Sequence, residues 1–516
     1  MKIRLLATLF VILLANLTFA APTLQLVNGS SAGSHSLVLA TPGTATAIVV
    51  DPKDYPVVAL AANLVADDVN RVTGRRPVVT DRSEAKQMVI AGTLGHSALI
   101  DTVANSGKLK EVNRIKGQWE ATLTEVVENP LPGVTRALVI VGSDRRGTAY
   151  GLMQLSETIG VSPWYWWADV PVQHRNTLAV KLSSPQIEMP GVKYRGIFIN
   201  DEDWGLFPWA KNTFDPQFKN IGPKTYEKVF ELMLRLRLNY IWPAMHGVTR
   251  EFGSVPENVA LADKYAIVGG ASHCEPLLFN NIHWDVKTRG PWDFAENRDA
   301  VHSVWEENVK ARAGQEAVWT LGIRGIHDGP MAGPQDLPTR INTVTEVFKD
   351  QRALLDQNVT KQWGPVNQVF VPYKEVLPIY DAGLKVPSDV TLAWADDNFG
   401  YIRRLSSPEE RKRSGGAGVY WHLSYFGPPH SYTWINTTPP ALIWEELHKA
   451  WENEARTLWV INVGDIKPEE IGIDYYSRLA WAPERLGPDS QPQFLREFAA
   501  KNFGATHESQ AGSGTA

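Results

Sequence analysis

Apolar and polar positions follow two regimes along the chain. Up to about residue 185, short β-branched runs alternate with helical periodicity. Residues 23–27, 47–50, 88–92 and 137–142 predict strands. Residues 57–72 predict a helix, because Leu60, Leu64 and Val65 recur at helical spacing and Gly74 follows as a stop. Residues 146–159 read as a second helix. This predicts an N-terminal α/β domain over residues 21–185, closed by the linker Ser183-Ser184-Pro185.

From Lys193 the regime becomes a repeat of apolar strand, polar cluster and helix. Strands are predicted at 195–199, 238–242, 266–270, 317–321, 367–371, 390–394, 418–421 and 457–461, each ending in a polar cluster. Eight such units predict a (β/α)8 barrel over residues 190–482, with the clusters meeting in one pocket where the strands end. Residues 493–501 then start a helical region, and 509–516 form a small, polar tail.

The first twenty residues read as an export signal. Lys2 and Arg4 precede an apolar run over 5–14, too short to span a bilayer, and Thr18-Phe19-Ala20 resembles a cleavage site. No other stretch approaches 18 apolar residues. The expected mature protein is soluble, extracellular or periplasmic, and has no membrane partner. Sequons at Asn28, Asn358 and Asn436 matter only in a host that glycosylates.

A net charge of −5 over 516 residues excludes a nucleic-acid binder that works by bulk positive charge. The single cysteine, Cys274, excludes an intramolecular disulfide and a cysteine-based zinc cluster. Nineteen tryptophans suit either a crowded core or carbohydrate platforms. Trp164, Trp166, Trp167, Trp204, Trp209, Trp242, Trp394 and Trp421 lie near the motifs, and those beside polar strand ends, Trp242 among them, are candidate sugar platforms.

Several motifs reduce to local structure. Residues 29–33 match G-x-S-x-G by letter but have no helix after them, so they read as a turn. Residues 142–147 have Walker-like glycine spacing, yet Thr148 stands where the lysine belongs. Cys274 reads as a small packed residue.

The carboxylates carry more. Asp201, Asp328, Glu375 and Asp396 end four different strands, with His273, His422 and Arg324 beside them. Any one of them could simply cap a helix. Four in one mouth suit glycoside hydrolysis, which needs one protonated and one ionised carboxyl.

Long stretches, among them GSDRRGTAYGLMQLSETIGVSPWYWWADVP from Gly142, YRGIFINDEDWGLFP from Tyr194, GIRGIHDGPM from Gly322, WADDNFG from Trp394 and GVYWHLSYFGPPHSY from Gly418, resemble glycoside hydrolase family 115, the xylan α-1,2-glucuronidases. The resemblance covers almost the whole mature chain. It implies an inverting enzyme that releases glucuronic or 4-O-methylglucuronic acid from glucuronoxylan or glucurono-xylooligosaccharides. No cofactor and no metal ligands are expected from the residues, and the sequence leaves open whether a metal tunes activity. It places Glu157, Asp201, His273, Arg324, Asp328, Glu375, Asn398, His422 and Tyr425 in the pocket, with Glu157 arriving from a first domain packed against the barrel mouth.

Within that frame Asp328 is expected to be the acid, kept protonated by burial and neighbouring carboxylates. Glu375 is the expected base, and Asp201 the next candidate acid. Arg324, with His273 or Lys374, is expected to read the uronate carboxylate, and Asp396 and Trp242 to contribute to binding. Family members continue past the barrel with a helical and a β-rich domain that help them dimerise and close the site. This sequence stops near the start of that region and reads as a fragment or truncated product, so a homodimer is expected only with it. The rival readings are a non-catalytic carbohydrate-binding relative and another exo-glycosidase on the same scaffold, such as a hexosaminidase-like enzyme.

Overall fold

A computed structural model describes residues 23–27, 33–82, 84–425 and 435–504. The export signal, the sequon at Asn28, most of the G-x-S-x-G stretch and the polar tail fall outside them.

The first domain is built on a six-stranded sheet. Val79–Thr80, Ile48–Val50, Gln87–Thr93 and Arg136–Gly142 run parallel, and Thr122–Glu128 and Gln186–Glu188 are added antiparallel. The last of these strands lies beyond the expected linker at 183–185, so the chain leaves this domain a few residues later than its composition suggests. Helix Pro56–Thr73 begins with Pro56 in its first turn and ends at Gly74, whose φ of 71° is the left-handed geometry a glycine stop supplies. Helix Arg145–Thr158 is capped by Asp144, which accepts from the Arg146 and Gly147 amides.

The Walker-like glycines serve close packing rather than phosphate. A Cβ on Gly142 would lie 2.1 Å from the Thr148 nitrogen, and one on Gly147 would lie 2.3 Å from the Ala121 oxygen.

The barrel follows as expected. Its strands are β1 Tyr194–Ile199, β2 Tyr240–Trp242, β3 Val268–Gly269, β4 Val318–Thr320, β5 Asn367–Phe370, β6 Thr391–Ala395, β7 Ala417–His422 and β8 Leu458–Gly464. They pair in parallel in the order β3-β2-β1-β8-β7-β6-β5-β4, and a single parallel bridge from Gly269 to Ala317 joins the ends. Inward-facing side chains fill the interior: Tyr194, Phe198, Tyr240, Trp242, Tyr420 and Val460 form one buried cluster.

The body of the first domain docks on the floor of the barrel, where the strands begin, and not at the mouth as expected, while a strap at residues 166–169 reaches the loops after β1 and β8. Glu120 is fully buried there between Arg146 and Arg195 at the start of β1, and it accepts from Asn239, just before β2, at 2.7 Å. Glu316, just before β4, pairs with Arg145 at 2.6 Å and Arg146 at 2.7 Å.

Glu157 belongs to this floor. It pairs with Arg237 and with Lys501 of the last helix, Gln491–Phe503. Burial would raise its pKa, but Lys501, Arg237 and Arg478 hold it well below the usual carboxylate range. The structure does not bring Glu157 to the pocket as expected, because both ends of its helix lie at the floor, Arg145 and Arg146 beside Glu316 and Glu157 beside Arg237.

Candidate active site

The polar clusters after the strands converge on the mouth, as the repeat predicts. Soon after β4, β5 and β6 a non-glycine residue sits in left-handed backbone: His327 at φ 53°, Lys374 at 52° and Asn398 at 74°. Such residues cost of order 1 kcal/mol each and persist where surrounding contacts impose them.

Arg324, only 4% exposed, stands between two carboxylates. Its Nε and Nη2 donate to Glu375 at 3.0 and 2.7 Å, and its Nη1 donates to Asp328. Lys374 also donates to Asp328, and His273 Nε2 lies 3.0 Å from it. Burial pushes the Asp328 carboxyl up, but His273, Arg324 and Lys374 outweigh it and hold the group well below its ordinary range. Glu375 is likewise lowered, its burial overcome by Arg324. The structure does not favour the expected protonated Asp328: two cations, Arg324 and Lys374, pair with it, rather than the carboxylates the strand ends suggest.

Asp201 has the opposite environment. It is 7% exposed, and burial pushes its carboxyl up to about 7, with Glu202 and Asp203 adding to the rise against the pull of His246 and His422. Gly464 permits this position, since a Cβ there would lie 2.7 Å from Asp201 Oδ2. Glu202, buried beside it, accepts from the His246 amide at 2.7 Å and the Thr249 hydroxyl at 3.0 Å.

On the far wall, Asp396 orients His422. It accepts the His422 amide at 3.0 Å and meets the ring at Nδ1. Asp396 also accepts from the Asn398 and Gly400 amides, each at 3.1 Å, so it holds the loop and is not itself offered to a ligand. Tyr373 donates to Asn398, and its ring meets His273 edge-on at 4.8 Å. Tyr425 packs edge-on against His422 at 5.2 Å. Asp201, His273, Arg324, Asp328, Glu375, Asn398, His422 and Tyr425 thus all lie at one end of the barrel, His422 as the last residue of β7 and the others in the loops that follow the strands. Trp242 does not: it is fully buried inside the barrel with its Nε1 on the Tyr240 hydroxyl at 2.6 Å, and cannot meet a sugar. Trp164, Trp394 and Trp421 are core as well.

Glu202, His246, Tyr373 and Asp465 are mouth residues that the sequence reading did not single out. Glu202 and Asp465 sit in polar clusters at predicted strand ends, which was the available signal.

Among the described residues, the groups of His273, Cys274 and Asp328 that could serve a metal lie within 4.8 Å of one another. They fit one poorly. Asp328 already carries two cations, and burial pushes the Cys274 thiol far up, which keeps it protonated.

A parallel (β/α)8 barrel with several carboxylates gathered at its strand ends is a scaffold that can host glycosidic chemistry. The family model for glycosyl hydrolase family 115 matches residues 187–514, and the chain belongs to that family. A solved family GH115 4-O-methyl-α-glucuronidase, described as having specificity for decorated arabinogalactans, is 40% identical with a TM-score of 0.84. The match covers 93% of this chain, which spans 61% of the length of that relative. A Streptomyces plicatus N-acetyl-β-hexosaminidase is 12% identical with a TM-score of 0.53, covering 92% of this chain and 93% of its own, a likeness of fold alone. No curated protein sequence matches the chain.

Proposed function

We propose that the protein is a glycoside hydrolase that removes glucuronic or 4-O-methylglucuronic acid side chains from a plant polysaccharide. The observation that carries this reading is the split among carboxylates of one mouth: Asp201 is pushed up to about 7 while Asp328 and Glu375 are held ionised. One site then supplies both forms that glycosidic cleavage needs. Asp201 donates its proton to the leaving oxygen. Glu375 takes a proton from water as that water attacks the anomeric carbon. The uronate carboxylate competes with Glu375 and Asp328 for Arg324 and Lys374, which anchors the sugar and frees Glu375 to act as base. Asp396 fixes the His422 ring against the sugar. The described activity of the 40% identical relative supports a uronate as the group released.

Xylan is the proposed main chain, with the uronate α-1,2-linked and released with inversion, as the motif resemblance implies. Decorated arabinogalactan is the second reading, favoured by the description of that relative. Export of the protein is proposed from the signal-like first twenty residues.

The test is proton NMR of the products from glucuronoxylan and from uronate-bearing arabinogalactan. The expected result is free uronic acid, appearing first as the β-anomer. An initial α-anomer overturns inversion. No uronate from either polymer, with cleavage of a neutral aryl glycoside, overturns the assignment.

A further inference from the structure

Beside the mouth, a strap from the first domain and the loop after β1 enclose a cavity of about 460 Å3. Trp166, Trp167 and Trp209 form its aromatic wall, and Asp169, Asp465 and Lys467 stand among its polar lining. The volume lies in the range of small-molecule sites, roughly 300–1,000 Å3, and the lining has their usual mix of aromatic surface and a few polar groups.

The rings are held in place. Trp209 stacks on Phe214 with centroids 4.6 Å apart and planes 10° from parallel, Trp166 meets Trp209 edge-on at 5.9 Å, and Trp167 Nε1 donates to the Lys228 carbonyl at 3.1 Å. Trp166 and Trp209 are nevertheless only half-buried, so aromatic surface remains open beside a polar mouth. Asp465 accepts the Leu206 amide on Oδ2 at 3.1 Å, while its Oδ1 is buried with no partner among the described residues. Polar groups of Asp169, Asp465 and Lys467 beside open indole surface suit a ligand with an apolar face and hydroxyl groups at its edge. The cavity adjoins the candidate acid. Asp465 follows Gly464, where a Cβ would come within 2.7 Å of Asp201 Oδ2, and a Cβ on Gly205 would lie 2.8 Å from Asp465 Oδ2.

We propose that this cavity is a subsite for a neutral sugar ring, the unit of the polysaccharide adjoining the uronate held in the mouth. A pyranose or furanose ring offers an apolar C–H face to indole and hydroxyls at its edge to a carboxylate. Two acids against one lysine disfavour a second uronate. The inference rests on the function proposed above and names the part of the substrate that lies outside the cleavage centre.

Affinity electrophoresis through gels of uronate-free xylan and uronate-free arabinogalactan tests binding without turnover. Wild type should be retarded by at least one polymer, and Trp209→Ala and Trp166→Ala should each weaken that affinity by about tenfold, with Trp209→Phe recovering part of it. The same alanine variants should lower the ratio of kcat/KM on polymer to that on a uronate disaccharide. Oxidation of wild type by N-bromosuccinimide, with peptide mass mapping, gives a readout that needs no variant: oligosaccharide should protect Trp166 and Trp209. Absence of retardation and protection in wild type, or variants that fold and bind as wild type does, overturns the subsite. Retardation and protection without uronate release from any substrate would keep the subsite and overturn the proposed function instead.

Discussion

The floor and the mouth of the barrel both hold clusters of buried acids and bases, yet they use them differently. On the floor Glu120 lies between two arginines and an asparagine, and Glu316, matched by two arginines, is pulled down to about 2 against its burial. In the mouth, charge is split unevenly: Asp328 is crowded by cations while Asp201 sits among other acids. Unmet hydrogen-bonding capacity gathers there too. Six of thirteen buried side-chain polar atoms without a hydrogen-bond partner among the described residues follow barrel strands at this end: Asn200 Oδ1, Glu202 Oε2, His273 Nδ1, His327 Nε2, Asp465 Oδ1 and Glu469 Oε2. A matched cluster holds domains together, whereas an unmatched one is poised for a ligand or a proton.

The contrast breaks most sharply at Asp201. Asp201→Asn should lower kcat by about 10²–10⁴-fold, and wild-type turnover should decline above about pH 7 as this group loses its proton. Stability should move the other way. The folded pKa lies above the unfolded value, so the native state holds the extra proton between about pH 4 and 7, and burial of the ionised form penalises folding above that window. Asp201→Asn should therefore raise Tm at pH 8, by up to about 4 kcal/mol of stability, and change it little at pH 4. A variant that is both active and no more stable would remove the distinction between the regions.

Next in size is Glu120→Ala, which leaves Arg146 and Arg195 without their shared acid. We expect a loss of about 3–5 kcal/mol in thermal or urea unfolding, with turnover of the folded fraction within about twofold of wild type. Arg324→Ala should raise KM for a uronate substrate by roughly tenfold to a hundredfold and erase the preference over a neutral glucoside. It should also shift the acidic limb of the pH profile upward, since Asp328 and Glu375 lose the cation that lowers them. The smallest effect is expected for Glu157→Gln: kcat within about twofold, and a stability loss of about 1–3 kcal/mol from the released Arg237 and Lys501. A large fall in kcat would put this residue back in the site.

The barrel was legible because each strand is a short apolar run with its polar cluster at one end, and the mouth residues followed from that polarity. What the pattern could not carry is which charges meet. Asp328 lies four positions after Arg324 and one strand from Lys374, and only the folded turns show both cations on it. Trp242 sits at a strand end, but its side chain points into the packed interior beside Tyr240. Glu157 required knowing which end of the barrel the first domain covers, a choice set by Glu120 and Glu316 pairing across distant parts of the chain.

The single bridge between β3 and β4 has a consequence for motion. Every other pair of neighbouring strands shares at least two paired positions, so the cylinder has one thin seam. Side chains stitch it: Thr320 donates to the Ala271 carbonyl at 2.6 Å, and His273 meets Asp328 at 3.0 Å. The last stitch consists of mouth groups, so breathing along the seam would part His273 from Asp328. Amide deuterium exchange should begin earliest, among the barrel strands, at Gly269, whose amide donates across the seam to the Glu316 carbonyl at 2.9 Å. Replacing His273 with alanine should hasten it further, turning a fluctuation of the wall into a change in the charge that faces the ligand.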